Sequence, residues 1–89
     1  MRGFVKDPAS VLDYGFDWSP WLSGAEVITS STWYIDSGLT GGSESFNDTS
    51  TLVFLSGGGV GQDYTVTNRI VTDGNRTVER SFQVQIRDR

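Results

Sequence analysis

Eighty-nine residues with a formal charge of −4, no cysteine and no histidine describe one small acidic domain without disulfide support. That balance argues against a nucleic-acid binder, whose phosphate contacts need a basic surface, and no apolar run approaches the roughly 20 residues of a membrane span. A domain this small buries only roughly 60–65% of the surface its unfolded chain exposes, so the three Trp, five Phe and three Tyr are the expected core.

Taken in order, Met1 to Ala9 reads as an extended arm, with Asp7 biased away from helix by Pro8. Its first residues lack the apolar centre of a signal peptide, so a cytoplasmic product is the default. Residues 1–10 are assigned to this arm and 11–89 to a single domain. Leu12, Tyr14, Phe16 and Trp18 alternate with Asp13, Gly15 and Asp17, the period-two signature of a strand with an aromatic face. Ser19-Pro20 ends it, and Trp21-Leu22 follows as an apolar plug. Ala25 to Asp36 is a second strand region. Its apolar residues change faces between Ile28 and Trp33, which implies a bulge near Ser30-Ser31. Ser37 to Ser50 is polar and Gly-rich and reads as a loop, with room for a short strand around Leu39 or Phe46. Thr51 to Leu55 is nearly continuously apolar, as in a strand covered on both sides. Ser56 to Gly61 is a glycine-rich turn.

The last third carries the clearest pattern. Tyr64, Val66, Asn68 and Ile70 alternate with Thr65, Thr67, Arg69 and Val71. After Asp73-Gly74-Asn75, residues Val78 to Ile86 alternate again. Two such runs around an Asp-Gly-Asn turn predict a long β-hairpin at the centre of the fold. The fold class is therefore all-β, a small antiparallel β-sandwich. Tyr64, just inside a late strand and two residues before Val66, occupies the place of a tyrosine corner and favours the immunoglobulin-like type.

Residues for chemistry are scarce. Gly57-Gly58-Gly59-Val60-Gly61 lacks the Lys-Ser/Thr ending of a phosphate loop and reads as a turn. Asp13 and Asp17, four residues apart on a strand, stand roughly 13 Å from each other, too far for shared acid–base work. Glu44, Asn47 and Asp48 lack EF-hand spacing. No histidine can activate a serine, and Lys6 is the sole lysine. No catalytic, metal or cofactor residue is assigned. Asn47-Asp48-Thr49 and Asn75-Arg76-Thr77 match the glycosylation pattern, which means little without a secretion signal. Arg69 either pairs with a carboxylate inside the fold or faces a partner.

Charge is uneven: residues 1–63 carry net −6 and residues 64–89 net +2, which describes solvated strand faces or a molecule with complementary ends. The candidate partner-binding residues are Phe4 and Val5 in the arm, Trp21 beside its proline, and Arg80, Arg87 and Arg89 near the other terminus. Trp18, Trp21, Trp33 and Tyr34 offer a second reading, a sugar-stacking platform. Coplanar, exposed rings would favour that reading; buried rings would favour core packing.

Asp7-Pro8, then Val11 through Leu22, Ile28 through Trp33, Gly61, Tyr64, Val66 through Ile70, and Arg80-Ser81-Phe82 together resemble a family of short proteins encoded by tailed bacteriophages. The resemblance covers nearly the whole chain except Gly38 to Ser50. It implies a virion structural protein of immunoglobulin-like build, made in the host bacterial cytoplasm, and no catalytic residues. The expected role is a capsid decoration or cement protein, or a head-neck or tail accessory. Its partners would be other virion proteins or a second copy, with no nucleic acid and no membrane. The alternative is a carbohydrate- or host-surface-binding β-sandwich module.

Overall fold

The alternation over the last third becomes the middle of the larger of two sheets. The computed structural model describes residues 2–87, in seven strands: β1 (Arg2–Lys6), β2 (Val11–Asp17), β3 (Ile28–Ile35), β4 (Leu39–Phe46), β5 (Ser50–Gly57), β6 (Asp63–Thr72) and β7 (Thr77–Ile86). One sheet has the order β1-β7-β6-β3 and the other β2-β5-β4. Every pairing is antiparallel except that of β1 with β7. The result is an all-β sandwich of two layers.

The inward phase of each strand forms the core. Val66, Ile70, Val84 and Ile86 are fully buried and Phe82 is 1% exposed, as the hairpin pattern predicts. Val66, Phe82, Val84 and Ile86 meet Val53 and Leu55 of β5, Tyr14 of β2 and Trp33 of β3 in one cluster. A second cluster of Trp18, Ile28 and Ile70 closes one end, with Trp21, Leu22 and Val78 packed against it. Phe16 touches both clusters and joins them. The bulge expected in the second strand region is present as a register shift between Ile28 and Ser30. In the hairpin turn Asn75 takes the left-handed conformation at φ 61°, which Asn tolerates better than most residues. In the turn after β5, Gly58 has φ 98° and a Cβ there would stand 2.6 Å from Ile86 Cγ1, so glycine is required on both counts. The Tyr64 hydroxyl accepts the Gly59 N–H at 2.9 Å, tying this turn to the start of β6.

Two expectations are corrected. Residues 39–46 form a strand of eight residues rather than a loop. Pairing with β5 imposes the extended form on a Gly-rich segment of low β-propensity, and a register shift between Gly41 and Glu44 absorbs the misfit. The segment read as an arm is also a strand, because residues 2–6 pair in register with residues 82–86. Phe4 packs on the core, with its ring 5.1 Å from Tyr14 and 5.2 Å from Phe82. Lys6 shares that inward phase and is fully buried. Its ammonium donates to the carbonyls of Asp7 at 2.8 Å and Gly57 at 2.9 Å, so β1 is fastened to the end of β5 in the other sheet. Burial pushes the Lys6 ammonium below its usual pKa, with the Asp7 carboxylate acting in the opposite direction.

Phe4→Ala therefore removes core contacts, and it is expected to cost about 2–3 kcal/mol and lower Tm by roughly 10 °C or more. Val5, on the outer phase of the same strand and 44% exposed, should tolerate alanine within about 0.5 kcal/mol. Paired thermal melts check both; equal effects would contradict the docking of β1.

Candidate functional site

The candidate partner-binding residues fall at separate places. Phe4 is half-buried in the core, while Val5 points outward beside Gln85. Arg87 lies near Val5, where its backbone N–H donates to the Lys6 carbonyl and its Nη2 stands 3.5 Å from Asp63. Arg80 sits at the opposite end with its guanidinium 5.0 Å from the Trp18 ring, roughly 23 Å from Arg87 at the rise of a strand. Arg89 lies outside the described residues. The structure thus joins Val5 with Arg87 and separates them from Trp21 and Arg80.

Trp21 is half-buried rather than free. Arg76 stacks on it with its guanidinium 3.9 Å from the ring centroid and donates to the Trp21 carbonyl at 3.3 Å. The same guanidinium holds Glu26 through Nε at 2.9 Å and through Nη2. Thr72 Oγ1 and the Ser23 N–H also donate to this carboxylate. The cluster locks the segment between β2 and β3 onto the β6–β7 turn. Arg76, then Thr72 and Ser23, hold the Glu26 carboxyl at about 2, against an ordinary 4.5. Because the folded value is the lower one, the stabilisation is present above pH 4.5 and is lost as pH falls towards 2. Glu26→Gln should melt below the parent at pH 7, and the gap should close between pH 4.5 and 2. A gap independent of pH in circular-dichroism melts would refute the assignment.

Arg69 finds its carboxylate inside the fold, with Nη2 2.5 Å from Glu79 and the guanidinium over the Tyr34 ring at 5.3 Å. The aromatic platform does not form. Trp18 is fully buried and Trp33 is 9% exposed, while Tyr34 lies on the outer face of the larger sheet. Burial favours core packing over sugar stacking. Among the described residues no group of three or more Asp or Glu side chains converges as a metal site.

The outer faces of the two sheets differ. That of the larger sheet is mostly polar: Thr65, Thr67, Ser81 and Gln83 lie in cross-strand register, Thr67 and Ser81 share a 2.7 Å hydrogen bond, and Tyr34 and Val5 stand apart on β3 and β1. That of the smaller sheet carries apolar side chains. In β5 the inward phase is Thr51, Val53 and Leu55, so Leu52 and Phe54 point outward. Across the ladder Phe54 meets Asp13, Leu52 meets Gly15 and Ser45, and Val11 meets Ser56. Phe54 is 38% and Val11 64% exposed. Gly15 carries no side chain to shade Leu52, and none fits, since a Cβ would stand 2.1 Å from the Thr51 carbonyl oxygen. A depression of about 480 Å³ opens there between Gly15, Asp17, Ser45, Phe46, Ser50 and Leu52. Asp13 and Asp17 project from the exposed edge strand β2 and enter no ion pair among the described residues. The Ser19 side chain, and then its N–H, which donates to Asp17 at 3.0 Å, keep the Asp17 pKa below the usual carboxylate range. The sequence hinted at this surface only through the nearly continuous apolar run of residues 51–55, read there as covered on both sides; the described residues leave the outer side open.

Among curated proteins none matches the chain. A family model described as the podophage GP4 fiber-tail adaptor protein gp77 matches residues 6–85, which takes in β2 to β6 whole and β7 up to its last residue. The chain belongs to this fiber-tail adaptor family, and so is a virion structural protein of a tailed phage.

Proposed function

We propose that the protein is a non-enzymatic connector in the phage tail, holding a fibre to the tail through protein–protein contacts. The observation that carries this reading is the family match over residues 6–85, nearly the whole sandwich. Composition supports it: there is no histidine or cysteine, and the one lysine is buried and bonded to backbone carbonyls, so no nucleophile–base pair is at hand. Between the two placements open to the sequence, the family description favours a tail accessory and lends nothing to capsid decoration or cement. We also read the fold as immunoglobulin-like. Support comes from seven strands split four and three, from hairpin neighbours β6 and β7 sharing a sheet with β3, and from the Tyr64 hydroxyl bonded to the turn ahead of its strand.

Cross-linking mass spectrometry on intact virions tests the connector role. Links from this chain to both a tail protein and a fibre protein are expected. Links to the capsid shell alone would overturn the reading.

A further inference from the structure

We propose that the outer face of the three-stranded sheet is the docking surface for another virion protein, one presenting an apolar side chain flanked by lysine or arginine. This deepens the connector reading and rests on it.

Three independent observations converge on the face. First, its shape and composition suit a protruding side chain: the depression beside Leu52 is about 480 Å³, and Phe54 and Val11 extend the apolar strip along the sheet. The opposite outer face is largely polar, with Thr65, Thr67, Ser81 and Gln83 at its centre and the Arg69–Glu79 ion pair beside Tyr34. Second, residues 51–55 have the nearly continuous apolar pattern of a strand buried on both sides, yet only one side is covered among the described residues. Water on Phe54 and Leu52 is the state that a partner relieves. Third, the rim has one sign. No lysine or arginine occurs from Asp7 to Asn68, so all of β2, β4 and β5 lacks basic side chains, while Asp13 and Asp17 remain unpaired among the described residues. An apolar centre with an acidic rim selects a basic-rimmed complement, and the rim steers and orients rather than supplying most of the affinity.

A second copy of this chain suits the face less well. Its exposed arginines are largely engaged: Arg69 with Glu79, Arg76 with Glu26 and Trp21, Arg87 with Asp63.

The test is incorporation into particles. A phage lacking the gene is complemented in trans with the parent, with Asp13→Lys/Asp17→Lys, with Phe54→Asp, or with Thr65→Lys/Gln83→Lys on the other sheet. Adaptor content per purified particle is measured by quantitative mass spectrometry, and each purified variant is melted. Both small-sheet variants should load at least tenfold less than the parent, with Tm within a few degrees of it, while the large-sheet variant loads normally. The charge-reversal pair guards against a misfolded Phe54→Asp. Parental loading of both small-sheet variants would overturn the docking face and leave the connector reading standing. Absence of the parent chain from particles would sink the connector reading itself. A parent that sediments as a dimer, with Asp13→Lys/Asp17→Lys monomeric, would make a second copy the occupant and overturn the proposal.

Discussion

Phe82→Ala is expected to leave the chain largely unfolded at 37 °C. Phe82 lies in the middle of β7, an interior strand of the larger sheet, and is 1% exposed. Its ring contacts those of Phe4, Tyr14, Phe16 and Trp33, with centroid distances of 5.2, 5.6, 5.6 and 6.3 Å. These neighbours come from β1, β2 and β3, so one ring holds both sheets and the edge strand together. Truncation removes the transfer free energy of a phenyl group and leaves a cavity that four large rings cannot close without leaving their rotamers, a cost of about 3–5 kcal/mol. A domain of this size has about 4–13 kcal/mol in total. Phe82→Leu keeps most of the volume and should cost about half as much. Chemical denaturation of the three proteins checks the order; an alanine variant with the parent's midpoint would show that the rings do not form the hub described.

What the sequence revealed depended on whether the signal was local. The hairpin of β6 and β7 was legible because its strands adjoin in sequence, its alternation runs on both sides of Asp73-Gly74-Asn75, and its residues suit a pleated surface. The role of residues 39–46 was hidden because Gly41, Gly42 and Ser43 have no strand preference of their own and take it from β5. The docking of β1 was hidden for another reason. Its partner lies some 80 positions away and runs parallel, so no turn announces it. Lys6 also sits in the inward phase, where a charged residue speaks against burial until the carbonyls of Asp7 and Gly57 are seen to receive it. The clamp of Glu26 on Arg76 joins residues 50 apart and has no trace in composition or spacing. At the candidate docking face the sequence offered half of the argument: the nearly continuous apolar run was visible, but which of its sides the chain covers required the ladder between β2 and β5.

Asn68→Ala is expected to cost about 3–4 kcal/mol, from a cavity and from polar groups stranded in the core. Asn68 shares the inward phase of β6 with Tyr64, Val66 and Ile70 and is fully buried. Its carboxamide uses its whole capacity of two acceptor sites and two donors. Oδ1 accepts from Trp18 Nε1 at 3.1 Å and Thr51 Oγ1 at 2.7 Å, while Nδ2 donates to Ser31 Oγ at 3.0 Å and the Thr32 carbonyl at 3.1 Å. The side chain thereby ties β3 and β6 of one sheet to β5 of the other and fixes the indole that closes the end of the sandwich. Trp18 retains a bond to Thr51 Oγ1 at 3.3 Å when Asn68 is lost, but the buried Thr51 hydroxyl loses its acceptor, and the Thr32 carbonyl and Ser31 hydroxyl each lose a donor. Asn68→Asp isolates the donor role, since a carboxylate keeps the acceptor sites and cannot donate to Thr32. It also buries a charge, so the introduced carboxyl should titrate above its ordinary value. With the folded pKa raised, the penalty is greatest at neutral pH and shrinks as pH falls through that value, because the protonated acid can donate again. The Tm gap between Asn68→Asp and the parent should therefore narrow on acidification, whereas the gap for Asn68→Ala should stay constant. Melts of both variants from pH 7 to pH 4 decide the matter: an Asn68→Asp gap that does not narrow would mean that the donated bond to Thr32 does not hold the two strands together.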